Sequence, residues 1–144
     1  MIDPDALPPR LRQFYELWER KRGTSVIPAR SDFAFEELRP WLGELHLLEV
    51  LPDDFRFKVY ATGTAERVKR EFTGFLMSQV TPAELAREAA REYRRVVETR
   101  APAFTDRSHI MAEGRIYSWQ RLIVPLGDDR VTVDQIFVCL QYLL

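Results

Sequence analysis

The sequence predicts an α+β domain in which a helical middle segment interrupts one antiparallel sheet of five strands. Strand-like runs rich in Val, Ile, Leu and aromatic residues stand on both sides of that segment, two before it and three after it. One sheet results if the leading hairpin pairs beside the last strand. The five runs are residues 45–51, 55–62, 102–112, 115–126 and 130–143.

Length and composition indicate one folded domain. The chain of 144 residues predicts a single unit over 1–144, with a cap helix at about 9–22 and a core at about 43–144. Because the net charge is −1, the basic surface typical of nucleic-acid binders is not expected. The sequence offers neither a run of ~20 apolar residues nor a signal peptide, so we expect a cytoplasmic protein without membrane insertion.

The N-terminal helix is predicted from an aromatic stripe. Leu11, Phe14, Tyr15 and Trp18 recur at helical spacing, and Gly23 is a natural C-terminal stop. Two interpretations of the stripe stay open, because it can pack on the chain's own sheet or form the contact of a homodimer. Both can hold at once.

A loop and a short helix are expected before the sheet. Ser31 or Asp32 is a candidate N-cap, and Glu36 and Glu37 would then lie in the first turn, where negative charge is favourable. Arg30 and Asp32 are expected to hold the loop through charge-assisted hydrogen bonds.

The leading hairpin turns at Pro52-Asp53-Asp54, where Pro fixes φ and Asp can bond its own backbone. Gly63-Thr64 ends its second strand, and a short polar helix is predicted over 65–71. Thr73-Gly74 turns the chain again.

A longer helix and a meander complete the chain. The helix follows Thr81-Pro82, with Pro at the first helical position, and runs to about residue 100. Glu113-Gly114 and 127–129 then divide the three trailing strands. Strand alternation puts His109 on a polar face of the sheet.

The ordered combination of these short motifs resembles the PAS domain superfamily. More narrowly, the chain resembles a family of small, often stand-alone bacterial PAS-like proteins, and the resemblance covers nearly the whole sequence. It departs from the pattern at Lys58 and at Tyr60-Ala61. The motifs are Tyr15-x-x-Trp18, Arg22-Gly23, Pro28-x-Arg30-x-Asp32, Trp41-Leu42, Phe55-Arg56-Phe57, Gly63-Thr64, Thr73-Gly74, Leu122-Ile123-Val124-Pro125-Leu126 and Val133-Asp134.

The resemblance implies a sensor or regulatory module. PAS domains enclose a pocket that holds haem, flavin, a small metabolite or nothing, and they act on other proteins through the sheet and flanking helices. For this chain the resemblance therefore implies signalling through a protein partner, a homodimer, and a small-molecule ligand. The fold alone does not set the function.

Neither haem nor a flavin adduct is expected, and the cofactor is left unassigned. Haem needs an axial ligand, and the two histidines, His46 and His109, lie in predicted strands rather than in the helical middle. A photochemical flavin adduct would need a cysteine in that middle segment, whereas Cys139 lies in the last strand. The spacing of His, Cys, Asp and Glu predicts no metal site.

If a small molecule binds, its contacts are expected from the helical middle and the facing side of the sheet. The simpler alternative is that these side chains only fill the core. Arg121 differs from the others because a buried guanidinium requires a carboxylate or an anionic ligand. The candidate residues are Phe57, Val59, Phe72, Met77, Trp119 and Arg121.

A small cavity enzyme or ligand carrier of cone or hot-dog shape is the alternative. A curved sheet on helices can hold an acid–base pair, for which His46, His109, Asp106 and Asp134 are the candidates. Cone-shaped folds usually place their long helices before the sheet, whereas here the longest helix interrupts it. This order favours the PAS interpretation, and an enzyme is not expected.

Overall fold

The computed structural model describes residues 2–110 and 116–143. Its helices and strands follow one another in the order that the sequence predicts, and short 3-10 turns lie between several of them. In chain order the elements are α1 (Pro9–Arg22), α2 (Phe35–Leu38), β1 (Leu45–Val50), β2 (Phe55–Val59), α3 (Thr62–Val68), α4 (Ala83–Thr99), β3 (Ala103–Ile110), β4 (Ile116–Leu126) and β5 (Gln135–Leu143).

The strands form one antiparallel sheet in the order β2-β1-β5-β4-β3. The leading hairpin pairs beside the last strand, with Leu48 opposite Ile136, so the predicted five-stranded sheet is confirmed. β5 begins at Gln135 rather than at residue 130. The reason is local, because the Asp129 carboxylate accepts the amides of Val131 and Thr132 at 2.8 and 2.7 Å and holds that segment in a turn.

Helix α1 covers one face of the sheet. Phe14 is fully buried and meets the rings of Trp41 and Phe137 edge to face, with centroids 5.1 and 5.9 Å apart. The indole Nε1–H of Trp18 donates to the Pro125 carbonyl at 2.9 Å. Leu11 is also fully buried, so the aromatic stripe packs on the chain's own sheet.

A dimer contact through this helix stays a prediction. Within the stripe, Tyr15 alone remains half-buried, stacked on Trp18 with ring centroids 6.2 Å apart. A second copy would therefore meet mainly Tyr15 and the polar side of the helix, including the exposed Gln13 and Glu16.

Helices α3 and α4 lie over the opposite face, and α4 buries Ala89, Tyr93 and Val96. Because both faces are covered, the middle of β5 is buried at consecutive positions instead of alternating. Helix α3 runs over Thr62–Val68, not over 65–71 as predicted. It starts early because the β2 ladder ends at Val59.

The N-cap before α2 differs from the prediction, whereas Arg30 and Asp32 hold the loop through hydrogen bonds as expected. Ala34, not Ser31 or Asp32, is the N-cap, and its amide donates to the Glu37 carboxylate at 2.9 Å. The Asp32 carboxylate accepts the guanidinium of Arg130, with 3.1 Å between Oδ2 and Nε. Those hydrogen bonds lower the pKa of Asp32 and tie the loop to the β4–β5 turn.

Candidate functional site

A cavity of about 400 Å³ lies between the sheet and helices α3 and α4. The sheet contributes side chains from β1, β2, β4 and β5, and the two helices and the segment between them close the other side. The lining residues are His46, Phe57, Tyr60, Thr64, Arg67, Val68, Lys69, Met77, Val80, Thr81, Pro82, Leu85, Ala86, Ala89, Tyr93, Trp119, Arg121, Leu140 and Tyr142.

The strand register explains why β4 and β5 supply one wall. Trp119 pairs with Tyr142, and Arg121 pairs with Leu140. Directly opposite residues of antiparallel strands share a face, and every second residue returns to it. These four side chains therefore stand together on the face that α4 covers.

Aromatic rings form a second wall beside the first. The His46 imidazole stacks on Tyr60 with centroids 4.6 Å apart, and Phe57 meets both rings edge to face at 5.2 and 5.0 Å. Phe72 supports Tyr60 from behind, with centroids 5.5 Å apart. Flat, rigid walls of this kind suit a flat, small molecule.

His46 is a neutral hydrogen-bonding group of the cavity. Its Nδ1 accepts the Ala61 amide at 2.9 Å, so the ring proton is assigned to Nε2. Burial, and to a lesser extent the positive charge of Arg121, lowers the pKa of His46 to about 3. The imidazole is therefore uncharged at neutral pH and presents an N–H donor.

Arg121 is buried beside the cavity with a carboxylate partner. Its residue is 8% exposed, and Nη2 donates to the Glu92 carboxylate at 2.7 Å. Glu92 also accepts the Thr105 hydroxyl. The Nε–H of Arg121 is buried and finds no acceptor among the described residues. A buried guanidinium with an unused donor is energetically costly, so this N–H is a candidate hydrogen-bond donor to a ligand.

Tyrosine hydroxyls complete the polar groups. The Tyr142 hydroxyl donates to Thr64 Oγ1 at 2.7 Å, which links β5 to α3. Burial raises the pKa of Tyr93 to about 12, and it also raises the pKa of Tyr60 and Tyr142. All three phenols are therefore protonated at neutral pH and can donate.

Of the predicted ligand contacts, Phe57, Met77, Trp119 and Arg121 line the cavity. Val59 does not line it and is 48% exposed. A register shift interrupts the β1–β2 pairing, so that alternation fails between Phe57 and Val59. Phe72 lies one layer behind the wall and fills the core. Ligand contact by the four lining residues stays a prediction.

Apart from Arg121, the predicted ligand contacts included none of the polar groups of the cavity. Tyr93 was not among the candidate residues, and Tyr60 was named only as a departure from the family pattern. Thr64 and Tyr142 carried no signal, because their pairing joins segments 78 residues apart. His46 gave only a weak indication of the site, because it is a polar residue between apolar neighbours in the first strand-like run.

The acid–base candidates are not brought together. His46 lines the cavity, whereas Asp134 lies in the β4–β5 connection and accepts the Asp128 amide at 3.0 Å. Asp106 is on β3, where its carboxylate accepts from Gln120 at 3.3 Å. The side chain of His109 lies outside the described residues.

The described residues offer neither a metal-binding cluster nor an exposed thiol. Residues 2–110 and 116–143 contain no group of three His, Cys, Asp or Glu side chains arranged to hold a metal ion. Cys139 is fully buried in β5, and burial raises the pKa of its thiol. No helix in the described part of the chain is long and apolar enough to cross a membrane.

Comparison with known proteins identifies the fold. The family model described as PAS domain matches residues 7–141. The PAS domain of BvgS from Bordetella pertussis is 19% identical with a TM-score of 0.57, and the match covers 76% of this chain and 85% of that one. A LOV protein of Rhodobacter sphaeroides is 14% identical with a TM-score of 0.54, covering 76% and 66% of the two chains.

VqmA of Vibrio cholerae is also similar, at 15% identity and a TM-score of 0.59. The match covers 78% of this chain but 52% of VqmA, so this chain corresponds to about half of that protein. No functionally curated protein matches the sequence. At these identities the solved structures show a shared fold, and they leave the cone or hot-dog alternative without support.

Proposed function

Because this chain belongs to the PAS domain family, we propose that it is a sensor or regulatory module that binds a small molecule in its core cavity. Occupancy of the cavity would then be passed to another protein through surface contacts. The observation that carries this function is the cavity itself. Its volume of about 400 Å³ lies in the range typical of small-molecule sites, ~300–1,000 Å³.

The composition of the wall supports a binding role over a filled core. Mostly apolar and aromatic side chains surround a few buried polar groups, among them His46, Tyr93 and Arg121. A core that serves packing alone is best built without such groups, because each needs a partner when it is buried. Polar groups that converge on a cavity are typical of ligand recognition.

Proteins of similar fold support the same function. One similar structure is described as VqmA bound to DPO, and another concerns a flavin analogue in a light-oxygen-voltage domain. A third is a sensory box sensor histidine kinase from Vibrio cholerae. We extend ligand binding from the first two proteins, and a sensor role from the third, to the present chain because the cavity described above has the size and wall for a small molecule.

We propose that the structural change caused by ligand binding passes from the cavity to the surface through the sheet and its covering helices. Tyr142 bonds to Thr64 and thereby couples β5 to α3, and Arg121 bonds to Glu92 and couples β4 to α4. A ligand that contacts these pairs can shift both helices relative to the sheet. The outer surfaces of the helices, or a homodimer formed through them, would present that shift to a signalling partner.

Native mass spectrometry with a visible absorption spectrum tests the proposal. We expect the purified full chain to carry one small molecule per subunit, and to lose it in the cavity-filling variant Ala89→Leu. Ala6→Leu, on an exposed N-terminal turn, is the matched control and keeps the extra mass. A chain that carries no extra mass, alone or after incubation with a metabolite extract, would contradict small-molecule binding.

A further inference from the structure

The charged side chains that line the cavity in the described part of the chain are all basic. Among the described residues, Arg67, Lys69 and Arg121 contribute to the wall, and no Asp or Glu side chain does. Arg67 and Lys69 are exposed at the rim, and among the described residues neither has a carboxylate within ion-pair distance. The Arg67 guanidinium lies over the Tyr142 ring, 4.3 Å from its centroid, which holds it at the cavity.

The buried polar groups of the wall are hydrogen-bond donors. Arg121 has a buried Nε–H that finds no acceptor in the described part of the chain. The imidazole of His46 uses Nδ1 as an acceptor for the Ala61 amide, so its Nε2–H is left to donate. The Tyr93 phenol is protonated, belongs to a residue 3% exposed, and bonds to no described side chain. A ligand must bring acceptors to satisfy these groups.

From this wall we infer that the ligand is a small, flat organic anion of the aromatic carboxylate class. The inference rests on the proposed function, since it specifies the ligand of the same cavity. The ring of such a molecule packs against Tyr60, Trp119 and Tyr142. Its carboxylate carries the hydrogen-bond acceptors and the negative charge. Arg67 and Lys69 at the rim and Arg121 inside the cavity attract that charge.

The Arg121–Glu92 pair does not cancel this positive field. Glu92 neutralises one guanidinium from outside the wall, with its Oε2 2.7 Å from Nη2, and leaves Arg67 and Lys69 uncompensated. A cationic ligand would meet the two uncompensated charges of Arg67 and Lys69, and the described part of the lining has no carboxylate to receive it. A neutral ligand could fill the ring site but would make no use of the charges at the rim.

Three probes of one shape separate these cases, because benzoate, benzamide and benzamidine are all planar and differ in charge. Dissociation constants would be measured by NMR titration of the labelled full chain. We expect benzoate to bind about tenfold more tightly than benzamide, which is the magnitude of a hydrogen bond to a charged group, and benzamidine to bind weakest. Added salt should weaken the binding of benzoate alone.

Variants at the rim assign the effect to a residue. Arg67→Gln should weaken benzoate by about two- to fivefold and leave benzamide unchanged, because an exposed charge contributes modestly. Arg95→Gln, an exposed position on α4 outside the lining, is the matched control and should change neither. Neither substitution removes a buried contact, so both variants are expected to fold.

Inside the cavity, the double variant Arg121→Gln, Glu92→Gln removes the pair together and avoids a lone buried charge. We expect it to lose benzoate binding by tenfold or more, ~1.4 kcal/mol, with thermal unfolding as the check on folding.

Equal binding of benzamide and benzoate would overturn the inference of an anion and leave the cavity as a ligand site. Binding of benzoate that survives both Arg67→Gln and the double variant would overturn the assigned contacts. If none of the three probes binds, the inference fails, and the mass measurement on the purified chain decides separately whether the proposed function fails with it.

Discussion

Replacement of Phe14 by Ala probes how helix α1 is held on the sheet. The Phe14 side chain is fully enclosed and contacts two rings edge to face, those of Trp41 and Phe137. Trp41 cannot move into the space easily, because its indole Nε1–H donates to the Arg10 carbonyl at 3.0 Å. The substitution should therefore leave a cavity that relaxes little.

The expected loss of stability is about 4 kcal/mol. Phe-to-Ala substitutions in cores cost ~3–5 kcal/mol, and the cost is highest where the surroundings cannot collapse. Each of the two lost aromatic contacts accounts for ~0.5–1.5 kcal/mol of this loss. Because a domain of this kind has a free energy of unfolding of ~5–15 kcal/mol, the variant should lose a large fraction of its stability.

Urea unfolding followed by tryptophan fluorescence measures the loss, and mass determination in solution accompanies it. Gln13→Ala is the matched control, since Gln13 is exposed on the same helix, and it should change stability by less than about 0.5 kcal/mol. If Phe14→Ala instead lowers the subunit number while its free energy of unfolding falls by less than about 1 kcal/mol, the stripe is an interface between copies and the packing described above is refuted.

Two further predictions concern His46 and Gly127. Because the folded state keeps His46 neutral, its pKa being about 3, stability should fall as the unfolded chain protonates below about pH 6.5, by about 1.4 kcal/mol per pH unit. In the variant His46→Gln this pH dependence should disappear, as measured by urea unfolding at pH 7.5 and 5.5 at the same ionic strength. If the free energy of unfolding of the variant changes with pH as much as that of the unmodified chain, His46 is not its cause. A Cβ at Gly127 would lie 2.0 Å from the Thr132 carbonyl oxygen, so Gly127→Ala should cost more than about 2 kcal/mol in thermal or urea unfolding. Gly43→Ala meets nothing nearer than 3.8 Å and should cost less than about 1 kcal/mol; equal effects of the two substitutions would contradict the crowding at Gly127.

The fold was predictable because its signals are local. Alternating or continuous apolar runs mark the strands, and turn residues such as Pro52-Asp53-Asp54 separate them. Gly23 ends α1 as predicted and has the positive φ of 55° that favours glycine there. The order of elements was enough to pair the leading hairpin with β5, because few other arrangements bury both runs.

Parts of the structure that depend on distant contacts were not predictable in this way. The Asp32 carboxylate is held by Arg130, 98 residues away, and nothing in either segment indicates the other. The register shift at the end of β2 is likewise invisible to alternation, and this is why Val59 was expected beside Phe57.

The apolar part of the candidate site was predictable, and Arg121 was the one polar group that the sequence indicated as a ligand contact. Aromatic and apolar residues in the right elements identify a core, and most of the cavity wall consists of such residues. The donors His46, Tyr93 and Arg121 converge through strand register and helix packing, which single-sequence periodicity does not encode. Arg121 was singled out in advance because burial of a guanidinium between apolar neighbours demands a partner.

The most direct test of small-molecule binding in the cavity uses the indole N–H signals of the three tryptophans. Trp18 and Trp41 donate to the carbonyls of Pro125 and Arg10 away from the cavity, whereas Trp119 lines it. Titration with benzoate or benzamide in ¹H–¹⁵N spectra should shift the Trp119 signal and leave the other two in place. Movement of Trp18 or Trp41 with a stationary Trp119 would contradict binding in the cavity.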